Sequence, residues 1–206
     1  MLIGIIGATG PTGRQLVAQA TERGHTAFAL VRNPAAARLP ELDSLHIVWG
    51  DATDTASVAA AFAEVDVIVS GLGAHKSDPA GLLLAGARAV TAAGVHRIVW
   101  LGALGSARSR TASGPIWATL LRMAAGKAEV ADKNAADEVL IAAKATVFHA
   151  AQLTDKPLSS TRRTQTLTDT PRRVLPKPVS RATVAALMLD EAETGTHSGQ
   201  VVIPFD

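Results

Sequence analysis

The sequence predicts a doubly wound α/β fold, in which a mostly parallel sheet carries helices on both faces. Short β-rich runs alternate with longer alanine-rich stretches, a pattern typical of parallel strands joined by helical crossovers. Of the 206 residues 48% are hydrophobic and only 3% are aromatic, which suits small-residue helices packed on a buried sheet. At this length we expect one domain, residues 1–206, whose C-terminal part from about 150 to 206 completes the ligand-facing side.

The β-rich runs predict six strands and a seventh near the C-terminus. The six are Leu2 to Ile6, His25 to Val31, Leu45 to Trp49, Val65 to Ser70, Arg97 to Leu101 and Ala145 to Phe148. The seventh, Gln200 to Ile203, is predicted as an edge strand. Residues 154 to 178 are rich in threonine and proline and predict a loop with room for one short strand.

Capping residues divide the helical stretches between these strands. Asp and Ser are favoured before a first helical turn, and Gly after a last one. We therefore expect a long helical region to run to about Lys144 with a break near Gly126, since glycine weakens a helix. The remaining predicted boundaries are an end at Gly24, a start at Asp54, a start near Pro79 with its end at Gly94, a start at Gly114-Pro115, a start at Ser180 and a turn from Gly195 to Gly199.

Composition excludes several classes of function. The chain has no cysteine, which rules out disulfides and thiolate zinc sites, and we expect no metal site and a reducing, cytoplasmic location. No apolar stretch approaches the ~20 residues of a membrane span. The net charge is +2 and the cations are dispersed, so we expect neither nucleic acid nor a membrane as a partner. For the two arginine pairs, Arg162/Arg163 and Arg172/Arg173, a solvated loop is favoured over an anion site.

A glycine-rich loop follows the first predicted strand and precedes an amphipathic helix. Gly7 permits a sharp turn, Gly10 lets the backbone approach a pyrophosphate, and Gly13 lets the helix sit close to the sheet. Free N–H groups at the helix start favour anions, and an ordinary tight turn is the less favoured alternative because both flanking elements are present. The pattern predicts a Rossmann dinucleotide site whose candidate residues are Gly7, Thr9, Gly10, Pro11, Thr12 and Gly13.

The end of the second strand distinguishes the two nicotinamide dinucleotides. An acidic residue there favours the ribose 2′-hydroxyl of NAD(H), whereas an arginine suits the 2′-phosphate of NADP(H). The sequence has Arg32 followed by Asn33, so NADP(H) is favoured, and Arg38 is a second candidate for contact with the 2′-phosphate. A surface arginine that only solvates the turn is the alternative.

The sequence resembles the atypical short-chain dehydrogenase-like proteins, which include biliverdin-IXβ reductase, also a flavin reductase, and the nitrogen-metabolite-repressor-like sensors. The matching segments cover roughly the first hundred residues well and continue more thinly beyond them. They are GATGPTG at Gly7, LVRNP near Val31, GDATD at Gly50, VDVIVSGLG at Val65, GVHRIVW at Gly94, DEVL at Asp137 and DKPLS at Asp155.

The resemblance assigns further contacts to the cofactor. It implies an adenine side at Asp51 and Ala52, although turn chemistry explains those residues equally well. It implies contacts near the nicotinamide ribose after the fourth and fifth strands, at Leu72, Gly73, Ala74, Leu101, Gly102 and Ala103.

The catalytic residues of carbonyl-reducing short-chain dehydrogenases are missing. Those enzymes use a Tyr-x-x-x-Lys pair because a phenol must exchange the proton that accompanies hydride, and this chain has no tyrosine. Lys133 occupies the lysine position, where it would bind the ribose or be a solvated helix residue, and Glu129 stands in place of the tyrosine. Gly102 replaces the expected serine, and Ser106 substitutes for it only if the loop folds back.

Two functional hypotheses remain, and both accommodate the missing acid. The first is an NADPH-dependent reductase of flavins, quinones or similar planar acceptors, for which solvent completes protonation. The second is a non-catalytic NADP-binding redox sensor.

We assign no general acid, since His149 and Gln152 at the sixth strand are more typical of structural residues, and we expect a monomer or a homodimer. Apolar residues of the long helix, for which core packing is favoured over walls of an acceptor site, are Ile116, Trp117, Leu120, Leu121 and Met123.

Overall fold

The computed structural model describes residues 1–74, 77–110, 113, 117, 119, 123, 126–170 and 176–206. Its strands are β1 (Leu2–Ile6), β2 (Thr26–Val31), β3 (Leu45–Trp49), β4 (Val67–Ser70), β5 (Ile98–Ala103), β6 (Thr146–Ala150), β7 (Leu153–Thr154), β8 (Arg163–Thr166), β9 (Val179–Ser180) and β10 (Val201–Phe205). Its α-helices are α1 (Pro11–Glu22), α2 (Thr55–Ala61), α3 (Leu82–Ala92), α4 (Lys127–Ala142) and α5 (Arg181–Thr194). Single 3₁₀ turns lie at Pro34–Ala36 and Ala107–Ser109.

The main sheet has the order β3-β2-β1-β4-β5-β6-β10-β8, and all its pairs are parallel except the pair of β10 with β8. The doubly wound fold class predicted from the sequence is therefore confirmed. The strand order reverses direction between β1 and β4, and ligands bind such sheets at that switch point, beyond the carboxyl ends of the strands. A second, two-stranded sheet pairs β7 with β9.

The prediction that the C-terminal strand lies at an edge is wrong. Val201 pairs with Val147 of β6, and Ile203 pairs on the other side with Gln165 of β8, so β10 is an inner strand. The outer strand β8 reads Arg-Thr-Gln-Thr and is mostly half-exposed. Because such a strand has no apolar periodicity, the sequence pattern predicts it only weakly.

Helices cover both faces of the sheet and bury two apolar layers. One layer joins residues of α1 and α5 to the sheet, and the other joins residues of α2, α3 and α4. Gly4 of β1 is required by this packing, because a Cβ there would lie 2.8 Å from the ring of Phe62. Within the described residues, no helix combines the length and apolar character needed to cross a bilayer.

The predicted helix boundaries at Asp54, Ser180, Gly24 and Gly195 are confirmed. The Asp54 carboxylate accepts from the backbone N–H groups at the start of α2, and Ser180 Oγ accepts from the N–H of Thr183 at 3.0 Å. Gly24 and Gly195 have φ angles of +80° and +64°, the left-handed conformation that follows a helix end. The predicted helix start at Gly114-Pro115 lies outside the described residues.

Two further glycines follow the predictions. Gly94 comes after α3 with a φ of +80°, and α3 begins at Leu82, a few residues beyond the predicted start near Pro79. Gly126, with a φ of +85°, precedes the first residue of α4, as expected for the interruption of the long helical region.

Asp54 gives the stability of the chain a predictable dependence on pH. Its side-chain hydrogen bond with Ser57, at 2.8 Å, and the backbone hydrogen bonds lower its pKa. When the pKa of a carboxyl is lower in the folded chain than in the unfolded chain, its ionised form stabilises the fold. That stabilisation is complete above the pKa of the unfolded chain and is lost as the pH falls through the pKa of the folded chain. We expect Asp54→Asn to melt below the wild type at neutral pH, with the gap closing in acid. A gap of equal size at every pH would contradict this assignment.

Candidate functional site

A cavity of about 490 Å³ lies where the carboxyl ends of β1 to β5 meet. Its walls come from the loops that follow these strands, from α4 and from the segment between β6 and α5. The structure therefore brings together almost every site residue predicted from the sequence. Those that line the cavity are Gly7, Thr9, Gly10, Pro11, Thr12, Arg32, Asp51, Ala52, Leu72, Gly73, Ala74, Leu101, Gly102, Ala103 and Lys133.

Gly13 is the predicted loop residue that does not line the cavity, because it lies beneath the loop. A Cβ on Gly13 would stand 2.0 Å from the carbonyl oxygen of Gly7. Gly7 has a φ of +73°, and a Cβ there would lie 2.8 Å from backbone atoms of Gly71 and Leu72. The turn after β1 is thus packed backbone against backbone with both α1 and the turn after β4.

Gly10 has a different environment, open towards the cavity. The nearest atom to a Cβ on Gly10 would be the carbonyl oxygen of Gly7, at 3.3 Å, and the N–H of Gly10 donates to that oxygen at 2.9 Å. Gly10 precedes α1, with Pro11 in the first turn. This arrangement presents a helix N-terminus and bare backbone to the cavity, which is the local structure that accommodates a pyrophosphate.

Arg32 lies at the cavity end of β2 and is exposed. It makes no ion pair or hydrogen bond with any part of the chain that the structure describes. Arg38 is also exposed but does not line the cavity. The guanidinium of Arg32 is therefore an exposed cation at the cavity that no described residue neutralises.

Arg14 is a structural residue that the sequence reasoning missed. Its Nε donates to the carbonyl oxygen of Thr9 at 3.1 Å, and its terminal nitrogens donate to those of Ala37, at 3.0 Å, and Arg38, at 2.6 Å. These bonds tie the glycine loop to the segment after β2. The only sequence signal for this role is an arginine in the first turn after the glycine loop.

Asp51 has the turn chemistry that the sequence offered as one of its two interpretations. Its Oδ1 accepts from the backbone N–H and from the hydroxyl of Thr53, each at 2.8 Å, which is turn chemistry. Asp51 nevertheless lines the cavity with Ala52 beside it. The turn presents this pair at the end of the cavity nearest β3.

Lys133 and Glu129 lie one turn apart on α4, and their side chains form an ion pair. The Lys133 side chain is only 16% exposed and lines the cavity. The alternative of a solvated helix lysine is therefore wrong. Glu129, which stands where a catalytic tyrosine would be, is committed to this ion pair.

The loop after β5 does fold back, but Ser106 does not reach the cavity. Its N–H donates to the carbonyl oxygen of Ala103 at 3.1 Å, and Gly105 has a φ of +101°. Ser106 is 1% exposed, and its Oγ lies 3.0 Å from Oδ2 of Asp137 on α4. The serine thus contacts a carboxylate that itself lines the cavity.

His149 of β6 is fully buried and contacts that same carboxylate. Its Nε2 lies 3.0 Å from Asp137 Oδ2, although the contact lacks the geometry of a hydrogen bond. Nδ1 lies 2.6 Å from Oγ of Ser109. The sequence predicted a structural histidine, and the burial agrees. The partnership with Asp137 was missed, since the two residues are on different elements.

The C-terminal segment contributes Ala151, Leu153 and Arg181 to the cavity wall. Arg181 Nη1 pairs with Asp155 Oδ1 at 2.7 Å. Gln152, the other polar residue noted after the sixth strand, does not line the cavity.

The apolar residues suggested as walls of an acceptor site do not form one where the structure describes them. Trp117 donates from Nε1 to the carbonyl oxygen of Leu104 at 2.6 Å, and Met123 is 77% exposed, so Met123 is not a core residue either. Neither lines the cavity. Ile116, Leu120 and Leu121 lie outside the described residues.

The structure describes one of the two arginine pairs and not the other. Arg162 Nε lies 3.5 Å from Asp190 Oδ2, and the Arg163 guanidinium lies 5.3 Å from the ring centre of Phe205, so neither is a simply solvated loop residue. Arg172 and Arg173 lie outside the described residues.

Comparison with known proteins identifies similar sequences and folds. A family model described as NAD(P)H-binding matches residues 7–194. The photosystem II assembly factor Ycf39 of Cyanophora paradoxa is 35% identical over 82 residues, which are 40% of this chain and 26% of that protein. The match therefore spans about a quarter of the length of that curated relative.

Two solved structures share the fold over the whole chain. A short-chain dehydrogenase/reductase from Veillonella parvula in complex with NADP has a TM-score of 0.82 at 13% identity, covering 100% of this chain and 94% of that one. SP1627 of Streptococcus pneumoniae, a candidate NADH-flavin reductase, has a TM-score of 0.79 at 19% identity, covering 100% and 99%. At these identities the likeness is one of fold.

Proposed function

The chain belongs to the NAD(P)H-binding family, and from that premise we propose that it is an NADPH-dependent oxidoreductase. It transfers hydride to a flavin, a quinone or a similar planar acceptor, without a Tyr-Lys catalytic pair. The observation that carries the proposal is the single cavity that joins the glycine loop, Arg32 and the end of β5.

The chain offers a separate group to each part of the dinucleotide. The backbone of Gly10 and the start of α1 bind the pyrophosphate, because N–H groups and the helix dipole stabilise anions there. Arg32 binds the 2′-phosphate, whose charge and geometry suit a guanidinium. The remaining cofactor contacts come from Thr9, Thr12, Asp51, Ala52, Leu72, Gly73, Ala74, Leu101, Gly102, Ala103 and Lys133.

The chain positions the cofactor and the acceptor and excludes water from the cavity, and it takes no covalent part in the reaction. The bound cofactor supplies the hydride. Leu82, Leu83 and Trp100 line the cavity with apolar surface, and each is at most 9% exposed. A flavin takes hydride at nitrogen and is stable as its reduced anion, so it needs no protein acid in the transfer step. This requirement matches a chain that has no tyrosine.

The family and the fold support the reductase proposal at different levels. The family match supports NAD(P)H as the cofactor. The neighbour from Veillonella parvula was solved in complex with NADP, which supports NADP as a cofactor that this fold accommodates. The similarity in fold to SP1627 supports a flavin as acceptor, although the name of that protein refers to NADH.

A non-catalytic NADP-binding redox sensor is the second candidate. The observation that favours it is the position of Glu129, which replaces the catalytic tyrosine and pairs with Lys133 instead of facing a substrate. Such a protein would bind NADP(H) in the same cavity and change its affinity for a partner with the redox state of the cofactor.

Oxidation of NADPH separates the two candidates. The loss of NADPH absorbance is followed with FMN, riboflavin and a small quinone as acceptors, and NADP(H) binding is measured on the same sample. We expect turnover above the protein-free rate with at least one flavin. Clear NADP(H) binding without turnover of any acceptor would refute the reductase and leave the sensor.

A further inference from the structure

A cluster of buried polar side chains lies directly behind the end of β5. Its members are Ser106 and Ser109 from the loop after β5, Asp137 from α4 and His149 from β6, each at most 3% exposed. Of these residues only Asp137 lines the cavity. Polar groups buried in this way normally satisfy one another, so an atom left without a partner is informative.

One oxygen of the Asp137 carboxylate faces the other members of the cluster. Oδ2 lies 3.0 Å from Ser106 Oγ and 3.0 Å from His149 Nε2. The imidazole is held from its other side, where Nδ1 lies 2.6 Å from Ser109 Oγ. The hydroxyl and the imidazole both face Oδ2, and the same hydroxyl lies 2.7 Å from the carbonyl oxygen of Ala103.

The packing of His149 holds the cluster against the cavity wall. A Cβ on Gly102 would lie 2.8 Å from His149 Cδ2 and 3.1 Å from Nε2. Gly102 itself lines the cavity. The imidazole therefore lies against bare backbone, and Asp137 stands beside it at the same wall.

The second oxygen of Asp137, Oδ1, has no hydrogen-bond partner within the described part of the chain. The Asp137 side chain is only 4% exposed, so bulk water solvates it poorly. Asp137 lines the cavity, where water reaches Oδ1, and an ionised carboxylate can only accept hydrogen bonds. A ligand that fills this end of the cavity must therefore bring an N–H or an O–H to Oδ1.

The neighbouring cations do not supply that donor. Lys133, one turn earlier on α4, pairs with Glu129. Arg108, on the 3₁₀ turn beside α4, pairs with the exposed Glu138 at 3.5 Å. The titratable group that faces the Asp137 carboxylate from the sheet is His149, on Oδ2.

We propose that Asp137 determines the specificity for the electron acceptor by accepting a hydrogen bond from it at Oδ1. This inference rests on the proposed reductase function and narrows its substrate class. The imide N–H of a flavin meets the requirement. A simple quinone does not, because its edge offers only carbonyl oxygens, which a carboxylate repels.

The test is equilibrium binding of lumiflavin and its N3-methyl derivative to the protein saturated with NADP⁺. Methylation removes the imide hydrogen and leaves the rest of the ring unchanged. We expect the wild type to bind lumiflavin about ten- to hundredfold more tightly, the range for a hydrogen bond to a charged group. Flavin reduction rates with NADPH provide a second readout.

Two variants identify the residue responsible. Asp137→Asn should reduce the preference for lumiflavin to about threefold or less, because the amide can also donate and no longer carries charge. Glu138→Gln is the matched control, since it removes the adjacent carboxylate, whose side chain is 60% exposed, and should keep the full preference. A preference that survives in Asp137→Asn would be steric and would overturn the proposal.

The remaining outcomes separate this inference from the proposed function. If the wild type binds and reduces both flavins equally, the role of Asp137 is refuted while the reductase stands, and this comparison needs no variant. If the wild type neither binds nor reduces either flavin, the reductase of flavins fails and the inference fails with it. If Asp137→Asn loses NADP(H) affinity but keeps the flavin preference, Oδ1 serves the cofactor and the proposal is overturned.

Discussion

Gly13→Ala is expected to abolish measurable NADP(H) binding and to destabilise the fold. The new Cβ would stand 2.0 Å from the carbonyl oxygen of Gly7, and real Cβ atoms essentially never approach below 3.0 Å. The glycine loop would have to move by about 1 Å. In enzyme sites a misplacement of that size lowers the rate on the order of a hundredfold, and we expect a loss of at least that order in NADP(H) affinity. Overpacking of this kind costs about 3 kcal/mol or more, measured as a loss of unfolding free energy in denaturant.

Gly24→Ala is the matched control for that substitution. Gly24 has a φ of +80°, and a Cβ there would meet no atom within 4 Å. An alanine in the left-handed conformation costs about 1–2 kcal/mol, so we expect a modest loss of stability with unchanged NADP(H) affinity. If Gly13→Ala behaves like Gly24→Ala in both measurements, the role assigned to the close contact beneath the loop is wrong.

Arg32→Glu is expected to lower NADP(H) affinity by about a hundredfold or more and to leave NAD(H) affinity the same or higher. The guanidinium is free of partners within the described residues, so its loss removes a charge-assisted contact to the 2′-phosphate and breaks no internal bond. The introduced carboxylate repels that phosphate, while it can accept a hydrogen bond from the 2′-hydroxyl of NAD(H). Isothermal titration with both cofactors measures the change.

Arg38→Glu provides the matched charge reversal at a site that does not line the cavity. Its carbonyl oxygen, which accepts from Arg14, is unaffected by a change of side chain. We expect a less than threefold loss of NADP(H) affinity, because exposed charges at a distance are screened by salt. If the two variants lose NADP(H) affinity equally, the preference for NADP(H) comes from the overall charge of the chain and not from Arg32.

The fold was predictable because its periodic elements are strongly marked in the sequence. Strands β1 and β3 have the predicted bounds, and the other buried strands differ by one or two residues at their ends. The resemblance to an NAD(P)-binding family, which was drawn from the glycine loop and six further segments, is confirmed, since the NAD(P)H-binding model matches residues 7–194. Strand β8 lies in the segment that was predicted to hold one short strand, but its position was not predicted because a half-exposed edge strand of threonine and glutamine has no apolar alternation.

The cavity was predictable to the extent that topology determines it. Residues at the carboxyl ends of parallel strands meet at one edge of the sheet, so Thr9, Arg32 and Gly102 could be placed together without coordinates. The Asp137–His149 pairing could not, because it depends on the packing of α4 against β6. The role of Arg14 could not be predicted either, since its partners are backbone carbonyl oxygens.

The central claim is that the cavity at the glycine loop binds NADP(H) in preference to NAD(H). Its most direct test is an equilibrium titration of the wild-type chain with NADPH and, separately, with NADH at the same ionic strength. A 2′-phosphate held by Arg32 predicts that NADPH binds at least about tenfold more tightly. Equal affinity for the two cofactors, or binding of neither, would contradict it.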